Sequence, residues 1–417
     1  MPFSEQPPLR YTARMQRRLA QLPLHTGKAP PWLFRRMTKL AGAVTMAVVD
    51  EYGPGEMLRR LADPWWFQAF GCVLGFDWHS SGLTTVTCGA LKEAAKTLGD
   101  DLGLLVAGGK GGTSRQTPQE ISAASDRHGI AGGERLVYAS RMSAKVDSAA
   151  VQDGYTLYHH AFFFTPDGQW CVVQQGMHAD QRLARRYHWL GESIHDFVCE
   201  PHTAIRDLGA GLPAAEAAAA GLPEGRAPSR QLLLNMVAAE AGSNRVSSTA
   251  LVRENPDWLI EEVKRCTSGP TLFAPRHHRV LPTDVNLPRL RKLLINAHDQ
   301  HPHDFAALLA GPGVGPATIR SLSLLAELIY DAPASRRDPA TPTGDAATAE
   351  TGSAAADRRW ADYAYAHGGK DGTPFPVDRE TYDRSIDLLN TAVRKARLGA
   401  NERVEALKRL ARHTGEA

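Results

Sequence analysis

The chain has 417 residues and a mass of 45.3 kDa, too long for one ordinary domain and suited to two or three. Its 43% hydrophobic and 22% charged residues are a globular composition, which excludes wholesale disorder and fibrous repeats. The formal charge of +3 is too small to point to a polyanionic partner, so only the distribution of charge can make that case. The first residues are polar and arginine-containing and do not read as a secretory signal. No apolar run is long enough for a membrane-spanning helix. Five scattered cysteines (Cys72, Cys88, Cys171, Cys199 and Cys266) include no CxxC pair. They argue against a disulfide framework and a cysteine zinc site, and for a reducing, cytoplasmic setting.

The predicted elements begin with a helix over Pro31–Tyr52, whose stripe of Leu33, Met37, Leu40, Val44 and Val48 ends at Gly53-Pro54. Glu56–Leu61, Trp65–Leu74 and Thr84–Leu98 are further helices. Leu102–Ala107 is a compact strand-like run that leads into Gly108-Gly109-Lys110-Gly111-Gly112. Tyr155–Phe164 and Gln169–Gln175 are aromatic and β-branched, and Thr165-Pro166-Asp167-Gly168 between them makes the pair a β-hairpin. Residues 19–207 therefore form a mixed α/β domain. An Ala/Gly/Pro-rich linker over 208–230 follows, then a mainly helical domain over 231–332. Residues 333–360 carry too few large apolar side chains to order themselves and read as a disordered insertion. A helical part with a basic tail closes the chain over 361–413. The fold class expected is α+β.

The clearest local motif is FAALLAGPGVGPATIRSLSLLAEL over residues 305–328. An apolar helix ends at Gly311, a Gly-Val-Gly turn follows, and a second apolar helix starts near Pro316. Gly313 and Gly315 permit unusual dihedrals and close approach of a phosphate. Val314 plugs the space between the helices, and Pro316 suits the first helical position. The helix start then faces a phosphodiester oxygen, with Thr318 and Arg320 in reach. Such a site grips phosphate rather than bases, so DNA binding would be sequence-independent. The plain alternative is a tight corner between two helices.

The string resembles the helix-hairpin-helix of DNA-repair and recombination proteins. Over a wider span, HTGKAPPWLF (residues 25–34), GFDWHSSGLTT (75–85), AGGKGGTSR (107–115), YASRMSAKVDSAAVQDGY (138–155), VVQQGM (172–177) and HGGKDGTPFPVDRETYDRSI (367–386) resemble the bacterial and archaeal domain-of-unknown-function family 763. Helix-hairpin-helix base-excision glycosylases carry a Val-Asp unit downstream of the hairpin. Asp378 in Pro376-Val377-Asp378 is similar to that catalytic aspartate, which would stabilise an oxocarbenium-like sugar or activate water. Helix capping alone also accounts for an aspartate there. The lysine that some glycosylases use for a Schiff base aligns with Ala317, so the resemblance implies no lyase chemistry.

Residues 75–178 hold a second set of candidates. Asp77 and His79 could hold a divalent ion, Mg²⁺ or Mn²⁺, for phosphodiester hydrolysis. Lys145 and Asp153, before the β-hairpin, are catalytic candidates in a loose likeness to restriction-like nuclease cores. Lys110 and Arg115 in the glycine-rich segment are candidate phosphate contacts. His159 and His160, adjacent on a strand, point to opposite faces and do not easily share one metal. Arg182, Arg185 and Arg186 beside Tyr187, His188 and Trp189 read either as a basic-aromatic patch for a strand of nucleic acid or as a solvated helix face. The expectation is a DNA-binding protein of genome maintenance, in a glycosylase-like form. The alternatives are a metal-dependent nuclease, a non-catalytic DNA-structure-binding protein, or an enzyme for a small phosphorylated molecule.

Overall fold

A computed structural model describes residues 17–24, 29–75, 81–179, 182–199, 203–205, 233–267 and 287–339. The fold is α+β. Strands β1 (Arg17–Pro23), β2 (Leu105–Lys110), β4 (Thr156–Phe164), β5 (Trp170–His178), β6 (Leu183–Leu190) and β7 (Thr203–Ile205) form one sheet in the order β2-β4-β5-β6-β1-β7. Every neighbouring pair is antiparallel except β1 and β7. The two-residue strands β3 (Val151–Gln152) and β8 (Leu234–Asn235) pair separately.

Four helices cover one face of the large sheet: α1 (Pro31–Tyr52), α2 (Pro54–Leu61), α3 (Pro64–Val73) and α4 (Ser81–Leu98). Their starts are locally encoded. Proline occupies the first turn of α1, α2 and α3, where a missing N–H costs little. Asp63 caps α3 by accepting from the amides of Trp65 and Trp66 (2.8 and 3.0 Å). Leu33, Met37, Leu40, Phe67 and Leu83 from these helices close over Ala161, Phe163, Cys171 and Val173 of the sheet.

The opposite face carries Phe162, Phe164, Val172 and Trp189. It is covered by α5 (Thr117–His128) and α6 (Gly133–Lys145), which runs on into a single π-helical turn, Val146–Ala150. The helices α7 (Gly242–Leu251), α8 (Pro256–Thr267), α9 (Leu287–Gln300), α10 (Phe305–Ala310) and α11 (Pro316–Tyr330) complete the described chain. Their apolar residues, Leu259, Leu294, Phe305, Leu309, Leu322 and Leu325 among them, belong to the same buried cluster as Phe162 and Trp189. The helical part therefore shares a core with one face of the sheet.

Three expectations change. Arg185, Arg186, Tyr187, His188 and Trp189 lie on β6 with both faces covered, so they form neither an exposed patch nor a helix face. Each of these side chains is at most 2% exposed. Residues 333–339, expected within a structureless insertion, are packed. Ser335 bridges to Asn235 of β8, and Arg337 pairs with Glu240 (3.1 Å). Polar side chains order this stretch, which is why a count of apolar residues misses it. Residues 117–145, for which no element is predicted, are largely helical.

Gly108 fixes how β2 meets β4. Its φ is +84°, and a Cβ there would strike the His160 carbonyl oxygen and Thr117 Oγ1. Its amide donates to Glu120 (2.7 Å), and its carbonyl accepts from Lys92 (2.8 Å). Gly108→Ala is expected to cost about 3 kcal/mol in urea unfolding, from positive-φ strain and overpacking together. A change below about 0.5 kcal/mol would mean that β2 shifts freely away from β4.

Candidate functional site

The turn between α10 and α11 stands at the surface on a buried base. Asp304 caps α10 by accepting from the Ala307 amide (2.7 Å). Phe305, Leu308 and Leu309 from α10 and Ile319, Leu322 and Leu325 from α11 enter the core, with Val314 buried between the two helices. Gly313 has φ +78° and its missing Cβ leaves room for Leu293 of α9, so glycine is required there on both counts. Gly315 is extended and begins α11 with no side-chain cap. Pro312, Gly313, Pro316 and Ala317 are exposed. The first amides of α11 have no partner within the helix, and the helix dipole adds positive potential at the same place.

Side chains from far away in sequence hold this apex in position. Lys145 Nζ, at the end of α6, donates to the carbonyls of Leu309 (2.6 Å) and Gly311 (2.7 Å). Gln152 of β3 donates from Nε2 to the Pro316 carbonyl (2.9 Å) and accepts at Oε1 from Arg320 Nε (2.8 Å). Lys145 thus ties off the end of α10 while Gln152 holds the start of α11. Burial, then the nearby Arg141 charge, pulls the Lys145 ammonium down to about 8. Arg141 is exposed one turn before Lys145 and makes no ion pair among the described residues. Thr318 is buried, so its side chain faces the core rather than the apex.

Helix α9 borders the apex through Leu293. Lys292 precedes that contact and Arg289 lies one turn before it on the same face, and both are exposed. Cations from α6 and α9 therefore stand on elements that pack beside the turn.

Asp153 lies elsewhere, in a buried ion cluster. Arg185 Nη1 donates to Asp153 (2.5 Å) and to Asp338 (3.0 Å), and Nη2 reaches the second Asp338 oxygen (3.1 Å). The guanidinium also stacks on the Tyr155 ring at 4.4 Å. Burial pushes the Tyr155 hydroxyl up to about 12 against the pull of the Arg185 charge. Lys145 and Asp153, paired as catalytic candidates from the sequence, therefore have separate partners.

A hydrogen-bonded chain crosses the sheet beside that cluster. His160 Nδ1 donates to Gln174 Oε1 (2.7 Å), so its Nε2 is left to accept from Ser140 Oγ (2.9 Å). Gln174 Nε2 donates to the Ser143 carbonyl (2.9 Å) and to Asp147, which also accepts from Trp189 Nε1 (2.8 Å). Burial pulls the His160 imidazole down to about 4, opposed by its bond to Gln174.

On the α1–α4 side, Arg186 is fully enclosed. It donates to His188 Nε2 (2.8 Å), the Pro64 carbonyl (3.3 Å), Gln68 and Thr84 (3.4 Å each). His188 Nδ1 donates to the Leu61 carbonyl (2.8 Å), which leaves Nε2 free to accept. Burial draws the Arg186 guanidinium down to about 9. Lys110 and Arg115 are exposed at the sheet edge, 5 residues apart along an exposed turn. Gly108, Gly109 and Gly111 all have positive φ, so the glycine run there has a backbone requirement of its own.

Asp77, His79 and Asp378 lie outside the described residues, as does the basic tail. Among the described residues no group of three or more His, Cys, Asp or Glu is placed to hold a metal ion. No described helix is long and apolar enough to cross a membrane. The sequence marks Arg141 and Gln152 only as members of a polar stretch over residues 140–154, because what they do comes from contacts with elements more than 150 residues away or from neighbours on α6.

These features define an α+β protein in which a helical turn is latched onto a sheet covered on both faces. The chain belongs to DUF763, a family described as proteins of unknown function, whose family model matches residues 18–377. No curated protein and no solved structure matches the chain.

Proposed function

We propose that this protein binds DNA through its backbone phosphates, with the α10–α11 turn as the contact, in a genome-maintenance role. The observation that carries the reading is the exposed, side-chain-uncapped start of α11, held in place by Lys145 and Gln152. A phosphate at the apex gains the amides of α11 and its dipole, and Arg141, Arg289 and Lys292 supply cations on the flanking helices. The turn is similar to a helix-hairpin-helix in sequence, in the buried valine and in the glycine with positive φ. None of these groups reads base edges, so the reading is of sequence-independent binding. Within it, Asp378 is the glycosylase-like carboxylate. Asp378→Asn then leaves DNA binding intact and abolishes release of a damaged base, scored as strand breaks that appear after hot alkali.

The test is fluorescence anisotropy of a labelled duplex across a salt series. Wild type is expected to bind with an affinity that falls as salt rises. Gly313→Val, which forces a side chain against Leu293 and distorts the apex, is expected to weaken binding about tenfold, or about 1.4 kcal/mol. Arg141→Glu with Lys292→Glu alters only exposed side chains. It is expected to weaken binding further and flatten the salt slope by about two. Absence of binding to both single- and double-stranded DNA at low salt defeats the proposal. So does binding that neither variant changes while thermal unfolding shows both to be folded.

A further inference from the structure

Four strands place one polar residue each in a single line across the sheet, on the face covered by α1–α4. The register sets Lys110 of β2 opposite His159 of β4, His159 opposite Gln175 of β5, and Gln175 opposite Arg186 of β6. With strands about 4.8 Å apart, the line is about 14 Å long.

Its inner half is accounted for by neutral groups. Gln175 Oε1 accepts from Thr84 Oγ1 (2.6 Å), and its Nε2 donates to the Ser81 carbonyl (3.0 Å) and to the Tyr158 hydroxyl. Arg186 donates to His188, Gln68, Thr84 and the Pro64 carbonyl and lies over the Phe67 ring at 4.7 Å. No described carboxylate pairs with Arg186 or with Lys110.

The outer half is different. The His159 side chain is 1% exposed, and neither ring nitrogen has a hydrogen-bond partner. Buried imidazoles ordinarily satisfy both nitrogens, and one left bare lowers stability. Lys110 beside it reaches solvent, with its ammonium 5.9 Å from the Tyr158 ring centre. This end of the line thus holds one cation that reaches solvent, no described anion and one buried ring whose donor is unused. An oxyanion supplies what both lack.

We propose that the Lys110–His159 end of this line is a binding site for a phosphate monoester group. Lys110 provides the charge at the mouth, His159 donates a hydrogen bond from the interior, and the positive charge of Arg186 lies two strands further in. The site is separate from the α10–α11 turn and stands whether or not that turn binds DNA. Such a group is carried by the 5′ end of a DNA strand or by free phosphate, and the two sources are separable.

Inorganic phosphate is titrated into the full-length protein by calorimetry and by thermal unfolding. A 5′-phosphorylated oligonucleotide is compared with its 5′-hydroxyl twin as competitor. Wild type is expected to bind phosphate and to gain thermal stability from it. Lys110→Met and His159→Leu are each expected to weaken phosphate binding at least tenfold. His159→Leu should also melt at the same or a higher temperature in phosphate-free buffer, because it removes two unsatisfied atoms. His159→Leu should bind a 5′-hydroxyl duplex as wild type does, because it leaves the α10–α11 turn untouched, so failure here and failure of the DNA reading are distinguishable. A preference for the 5′-phosphorylated strand that vanishes in both variants identifies a strand end as the source. Binding of free phosphate alone identifies a small ligand. The proposal is overturned if neither probe binds, or if His159→Leu binds phosphate within twofold of wild type.

Discussion

Acidification from pH 6.5 to pH 4 is expected to lower the unfolding free energy by about 6 kcal/mol, roughly half from each of two adjacent histidines. Burial pulls His159 down to about 3, aided by the His160 and Lys110 charges, and pulls His160 down to about 4. In the unfolded chain both titrate near the ordinary value of 6.5. Between 6.5 and 4 the unfolded state therefore binds protons that the folded state does not. Stability is full above pH 6.5 and is lost as pH falls toward the folded values. The geometry agrees. His160 donates from Nδ1 and accepts at Nε2 only as the neutral ring, and His159 has no acceptor for a second proton. A loss of this size is comparable to the whole stability of many proteins, so cooperative acid unfolding is expected near pH 4. Urea titrations at pH 7, 6, 5 and 4 check it. His159→Leu and His160→Gln should each remove about half of the pH dependence. A wild type that keeps its urea midpoint down to pH 4 would show that water reaches both rings.

Arg185→Ala is expected to destabilise the protein by about 4 kcal/mol, because it strands two carboxylates where one guanidinium had joined them. Arg185 is 2% exposed and holds Asp153 at 2.5 Å and Asp338 through two bonds. Burial works against the Arg185 charge, but the Asp153 and Asp338 carboxylates outweigh it and hold the guanidinium well above its usual range. Losing one member of such a cluster costs more than losing all of it. The triple change Arg185→Met, Asp153→Leu and Asp338→Leu should therefore recover much of the lost stability. Asp338→Asn alone is expected to loosen residues 333–339, read as faster proteolysis there, since this bond helps fix them to the sheet. A loss under about 1 kcal/mol for Arg185→Ala, the range of an exposed ion pair, would mean that the cluster is hydrated.

What the sequence made legible is what local physics controls. The helix over Pro31–Tyr52 has the bounds that its apolar stripe and flanking prolines predict. The β-hairpin follows from its turn, and the period of two correctly sends His159 and His160 to opposite faces. The positive φ of Gly313 in the α10–α11 turn is likewise a local requirement. The rest depends on partners distant in the chain. Arg185 and Arg186 look like surface residues until Asp338 is 153 residues away in sequence and in contact, and until Gln68 and Pro64 enclose the other side. The bonds from Lys145 to the carbonyls of Leu309 and Gly311 join residues more than 160 positions apart, so no local pattern shows them. A polar residue's role is set by what it meets, and spacing along a strand does not supply that. The line from Lys110 to Arg186 is of this kind, since only strand register brings its members together.

Among the described residues the large sheet is open, with β2 at one rim and β7 at the other. An open rim with free amides and carbonyls invites another chain to add a strand and begin aggregation. Here β7 is only three residues long. On β2, Gly108 and Gly109 take positive φ angles, and Lys110 places a charge at the end. The glycine-rich segment thus has a consequence for solubility as well as for packing: it denies an incoming strand a straight template.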